Sequence, residues 1–230
     1  MFLIIFLGTV LNVYTNDVVV KRADTTITPT IGMELMDEDT VIAGDSSKAE
    51  ILYSDSTMLY LDANTRIATT SSEKKRSVFL SFGRIWAKVK KLVKGESLEV
   101  ATPVSISGIS GTEFEQSFIA EKVECKMMGG SLNFKDKKSG EEKELKEGEM
   151  ASIKKGSAAK FEKFKKDQVK QWYKWSRKDA DFVLNKMKQV YDDGEHGDGA
   201  AGKDLMLLAS QVKAVSEKLG LEKEYESKLN

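Results

Sequence analysis

From residue 8 to residue 156, turn formers recur about every ten residues, and the runs between them are short, β-branched or aromatic, and in places strictly alternating. A chain punctuated this often has no room for a helix of ordinary length. It must bury its apolar residues as many short strands closing into a sandwich, roll or barrel. Candidate strands are residues 9–14, 18–22, 48–53, 58–61, 78–82, 84–89, 97–101, 113–119, 122–127 and 131–135. Ile85, Ala87 and Val89 should point one way and Arg84, Trp86 and Lys88 the other. Val123, Cys125 and Met127 alternate with Glu124 and Lys126 in the same manner. Turn chemistry fills the gaps at residues 45–47, 62–64, Gly83, Gly129-Gly130, 138–140 and Glu147-Gly148.

After Gly156 the period changes. Phe161, Phe164, Trp172, Trp175, Phe182, Val183, Met187 and Val190 recur at helical spacing, with Lys163, Lys166, Lys170, Lys174, Arg177 and Lys188 opposite. The expected organisation is therefore mainly β over residues 9–156, followed by a C-terminal helical region over 157–230. Its helices run over about 160–192 and 203–219, the second carrying Leu205, Leu208, Val212 and Val215 on one face. Residues 1–8 read either as the remnant of an export signal or as a greasy leader to the first strand.

With Lys+Arg and Asp+Glu both at 36, the net charge is zero, and no global attraction to nucleic acid or membrane follows. The charge is unevenly placed. Residues 34–62 hold eight acids against Lys48, net −7, while residues 154–178 hold ten bases against Glu162 and Asp167, net +8.

The succession GMELMDEDTVIAG, AEILYSDSTMLYLDANTRI, VFLSFGRIWAKV, VATPVSISGISGTEF and LKEGEMASI resembles the FecR domain. Matching positions are Gly32, Leu35 and Asp39; Asp55, Ser56, Leu59, Leu61, Asn64 and Thr65; Gly83 and Trp86; Val100, Thr102, Pro103, Gly111, Thr112 and Phe114; and Leu145, Gly148 and Glu149. The likeness covers roughly residues 8–156. The chain departs from the pattern in two places: Ser56-Thr57 stands where Gly-Ser is usual, and Ser110 replaces an arginine before Gly111-Thr112. The resemblance implies an all-β roll, an extracytoplasmic location (periplasmic, secreted or envelope-associated) and non-enzymatic work in envelope sensing, binding or scaffolding. The best-known members join a periplasmic FecR domain through one membrane helix to a cytoplasmic sigma-factor regulator. This chain looks more like the stand-alone secreted members, some of which follow the domain with a helix patterned like Phe164, Trp172 or Trp175, and Arg177.

Against this background the candidate sites can be weighed. Residues 100–114 have the small residues of a phosphate cradle but no P-loop lysine and no following helix, so Pro103 and the glycines suit strand ends and corners. The acids Asp37, Glu38, Asp39, Asp45, Asp55 and Asp62 match no cation loop, and neither does the Gly-rich loop holding His196. One histidine and one cysteine assemble no nucleophile–base pair, so catalytic, metal and cofactor residues are expected to be none. A fragment of a sigma-factor regulator is the alternative reading, and a carboxylate-based hydrolase a more distant one. The aromatic, basic helix is the distinctive candidate: Trp172, Trp175, Lys170, Lys174 and Arg177 suit a protein or envelope partner or an anionic membrane surface. The same stripe is what a helix needs to dock on the β-roll. Nucleic acid is not expected, and the oligomeric state stays open.

Overall fold

A computed structural model describes residues 8–13, 17–29, 33–45, 47–53, 57–71, 75–89, 92, 95–165 and 169, with backbone alone for Gly8–Val13. The strands are β1 (Gly8–Val13), β2 (Val18–Arg22), β3 (Thr25–Ile27), β4 (Glu34–Leu35), β5 (Thr40–Ala43) and β6 (Ala49–Leu52). Next come β7 (Met58–Leu61), β8 (Thr65–Ser71), β9 (Lys75–Lys88), β10 (Ser97–Ala101), β11 (Ser105–Ile109) and β12 (Glu113–Ile119). The last are β13 (Lys122–Gly129), β14 (Ser131–Asp136), β15 (Glu142–Lys146), β16 (Glu149–Lys154) and β17 (Lys160–Lys163). Among the described residues there is no helix, and the all-β expectation for this part of the chain holds.

The strands form two sheets joined by β9. Sheet I runs β4-β1-β6-β7-β9-β12-β13-β16-β17. Sheet II runs β3-β2-β5-β8-β9-β10-β11-β14-β15. All of these pairings are antiparallel except β9 with β10. The two inner faces meet in one apolar core. Ile51, Leu61, Ile85, Phe114 and Val123 come from sheet I, and Val20, Val41, Ile67, Leu80, Val100 and Phe134 from sheet II.

β9 is where the pattern of turn formers misleads. Residues 78–82 and 84–89 read as two strands broken at Gly83, yet β9 runs through the glycine as one strand of 14 residues. Its first part pairs with β8 and β10, and its last part with β7 and β12. Gly83, at φ 104°, supplies the bend that transfers the strand from one sheet to the other.

Other crossings use the same device. β11 ends in sheet II and β12 begins in sheet I, with Gly111 between them; β13 leaves sheet I and β14 enters sheet II at Gly130. At Gly130 a side chain is excluded, because a Cβ would lie 2.7 Å from the Gly111 carbonyl oxygen. The run VATPVSISGISGTEF therefore bends twice because it turns one hairpin and then changes sheets.

The start of the expected first helix is corrected. Lys160–Lys163 is strand β17, paired with β16 in the register Ala151↔Phe161. Phe161 belongs to the inward pattern of a strand: its ring meets Phe134 edge-on, centroids 6.4 Å apart. Residues 164, 165 and 169 are not helical, and the rest of the expected helical hairpin lies outside the described residues.

Candidate interaction surface

The motif residues are used up by the fold. Thr65 Oγ1 accepts a hydrogen bond from Arg84 N at 3.1 Å, with Arg84 O at 3.1 Å and Ala63 O at 3.3 Å as acceptors for its own proton. Asn64 turns the corner with φ 53° and donates to Asp45 Oδ1 at 2.8 Å. Thr102 Oγ1 accepts from Ser105 N at 3.0 Å and Val104 N at 3.3 Å, and lies 2.8 Å from Ser105 Oγ, which closes the β10–β11 hairpin around Pro103. Lys137 Nζ donates to the Thr102 carbonyl. Phe114 is fully buried, and Thr112 is buried beside the Gly111 crossing, where its carbonyl accepts from Val89 N at 2.8 Å. Trp86 packs with Tyr60 on the face of sheet I away from the core, ring centroids 4.7 Å apart.

The acidic residues are likewise turn and lock groups. Asp39, with no exposed surface, receives Arg22 Nε at 2.9 Å, Arg22 NH2 at 2.7 Å and Met36 N at 2.8 Å. That pairing holds the Arg22 guanidinium even further above neutrality than usual, the hydrogen bond to Asp39 being the largest cause. Asp37 accepts from Ser71 N at 2.7 Å, and Asp62 approaches Arg84 NH1 at 4.0 Å. Ser110, one of the two departures from the resembled pattern, lines an open depression of about 660 Å³ with Gly111, Gly130, Ser131, Glu144, Lys146 and Glu147. Cys125 is buried among core residues, and burial pushes its thiol up to about 12.

Among the described residues, the outward face of sheet II is the one that keeps large aromatic side chains exposed. Cross-strand register places Lys21, Thr40, Ala68, Phe79, Ala101, Ile106 and Lys135 in one row across seven neighbouring strands. A second row holds Val19, Ile42, Arg66 and Phe82. Phe79 is 38% exposed and Phe82 46%. A solvated sheet face is ordinarily polar, so two exposed phenylalanines ringed by alanine and isoleucine are out of place there unless something covers them. The polar rim is cationic: Lys21, Arg66 and Lys135 are exposed, and Lys137 Nζ sits 5.7 Å from the centre of the Phe79 ring.

Sequence reasoning missed this surface. Strict alternation from Val78 puts Phe82 inside with Leu80, but the register slips between Arg66 and Ile67, so Phe82 emerges on the same side as Phe79. The signal available was that VFLSF carries bulky apolar residues at both parities, more than one buried face can take. The residues favoured from sequence, Trp172, Trp175, Lys170, Lys174 and Arg177, lie outside the described residues, as do Gly32, Asp55 and Ser56.

Residues 39–133 match the family model described as FecR protein. Two crystal structures of a candidate anti-sigma factor from Parabacteroides distasonis ATCC 8503, at 2.50 and 1.65 Å resolution, are similar in fold. Both superpose with a TM-score of 0.52, at 14% and 15% identity. The match covers 58% of this chain and 63% of theirs, so this chain spans less than two thirds of their length. No curated protein matches the chain.

Proposed function

We propose that this chain, whose residues 39–133 carry a FecR domain, works outside the cytoplasm as a non-catalytic binding module in envelope sensing or regulation. Its working surface is the outward face of sheet II. One observation carries the reading: Phe79 and Phe82 stand exposed in the middle of a sheet whose other face is core. The occupation of Thr65, Thr102 and Asp39 by corner and lock hydrogen bonds supports a role without chemistry. Trp172, Trp175, Lys170, Lys174 and Arg177 form a second contact region in this proposal, facing a protein or envelope component.

A regulator of sigma-factor type is the second reading, favoured by the likeness to structures described as a candidate anti-sigma factor. Cell fractionation together with a photo-crosslinking residue at position 79 or 82 tests the proposal, with position 139 in the β14–β15 turn as the control. A cytoplasmic location, or equal crosslinking at all three positions, overturns it.

A further inference from the structure

We infer that the outward face of sheet II binds an amphipathic helix whose apolar stripe is flanked by acidic side chains. The inference rests on the reading of the chain as a binding module and adds the chemistry of its partner. Ala68, Phe79, Ala101 and Ile106 stand side by side on β8, β9, β10 and β11, in register. Four strands spaced ~4.8 Å apart make a strip about 14 Å long. A helix of about ten residues rises that far, and its side chains at i, i+3, i+4 and i+7 lie on one face. Helix on sheet is one of the few stable ways to cover an apolar sheet face. Phe82, with Ile42 and Val19 beyond Arg66 in the same row, extends the strip into a second row that gives the occupant lateral contact.

The sign of the rim selects the occupant. Lys21 closes one end of the first row and Lys135 the other, Arg66 lies between Ile42 and Phe82, and Lys137 overhangs Phe79. The acids on this face are peripheral or already engaged. Glu142 and Glu144 lie on the outermost strand, beyond Lys135 and Asn133, and Glu99 pairs with Lys75 at 3.3 Å. A partner with glutamate or aspartate beside its apolar stripe meets four cations, whereas a basic helix meets like charge.

An anionic membrane would also attract lysine and phenylalanine. Insertion to the acyl boundary, about 5–10 Å deep, calls for projecting side chains. Here the rings lie on strands in mid-sheet and are more than half covered.

The test uses the full chain and three labelled peptides of about 18 residues, long enough to hold a helix: a leucine stripe flanked by glutamate, the same stripe flanked by lysine, and a scrambled glutamate peptide. Fluorescence anisotropy reads binding, and vesicles of phosphatidylcholine with phosphatidylglycerol are run in parallel. Exposed ion pairs are individually weak, and four together should favour the glutamate peptide over the lysine peptide about tenfold, a preference that fades with salt. Phe79→Ala with Phe82→Ala should weaken that peptide about tenfold or more. Arg66→Glu with Lys135→Glu leaves both rings in place and should reverse the charge preference. Thermal melting confirms that each variant is folded. Equal binding of the two stripes, binding indifferent to both variant pairs, binding of the scrambled peptide, or binding to vesicles alone overturns the inference. Failure here with position-specific crosslinking at residues 79 and 82 intact removes the acidic helix as partner and leaves the binding role standing.

Discussion

A Cβ placed on Gly83 would lie 2.4 Å from Thr65 Oγ1 and 2.5 Å from the Asn64 carbonyl oxygen. The bend that moves β9 between sheets is thus built against the Asn64-Thr65 corner, and Thr65 Oγ1 in turn holds Arg84 N. Alanine at position 83 meets both a positive φ and backbone contact, so Gly83→Ala should cost roughly 2–4 kcal/mol. Thr65→Val keeps the shape but leaves Arg84 N without its partner, at about 1–3 kcal/mol. Urea unfolding curves measure both, and a Gly83→Ala variant as stable as the parent would refute this account of the bend.

Asp39 and Arg22 lock the β2 strand to the turn before β5. Removing Arg22 strands a carboxylate that has no exposed surface, so Arg22→Ala should cost roughly 3–5 kcal/mol. Asp39→Asn keeps an oxygen for Met36 N and leaves a guanidinium on a side chain already 29% exposed, so about 2 kcal/mol is expected. The order of the two urea midpoints is the test, since a surface-type ion pair would make both changes small.

The strands most legible in the sequence were those whose inner faces are mostly apolar. β13 carries Val123, Cys125 and Met127 inward, an alternation plain in the sequence, and β12 carries Phe114 and Phe118 inward on either side of buried Gln116. β11 escaped because its pattern is inverted. Ser105 and Ser107 face the core, while Ile106 faces out. Those serines are tolerated inside because Ser105 bonds Thr102 across the hairpin and Ser107 donates at 2.8 Å to Gln116 Oε1, which lies nine residues on and in the other sheet. β8, TRIATTS, offered little contrast between its faces, and β15 is an edge strand of mostly charged residues. The exposed row was invisible for a related reason: it is assembled by register across strands, and one slip opposite Arg66 decides where Phe82 points.

Phe161 discriminates strand from helix at the end of the described chain. As part of β17 it meets Phe134 at an interplanar angle of 87° and lies under Lys143 Nζ, 4.8 Å from its ring centre. Phe161→Ala should lower stability by about 1–2 kcal/mol, less than a fully buried phenylalanine because the residue is only half-buried. Hydrogen exchange should also slow amides on alternate residues of β17, the mark of an antiparallel edge. Protection of every consecutive amide from residue 160 onward would instead restore the helix.

Cys125 ties part of the fold's stability to pH on the alkaline side. Its neighbours across the strands are Gln116 and Ala151, and it has no exposed surface. Burial pushes the thiol from 9.0 up to about 12, Glu115 adds to the rise, and a hydrogen bond with Ser107 opposes it. The folded chain therefore keeps the thiol neutral where the unfolded chain releases its proton. This contribution to stability is fully present below about 9 and is lost as pH rises toward about 12, at ~1.4 kcal/mol per pH unit. Lysine and tyrosine titrations add slopes of their own, so the informative quantity is the difference between the parent and Cys125→Ala. The variant should start less stable near neutrality because of the cavity, then close the gap as pH climbs above 9. The native thiol should also resist alkylation at neutral pH until urea unfolds the chain. A gap that stays constant with pH, or rapid alkylation of the folded protein, would mean that Cys125 is reached by water and that the sheets do not close over it.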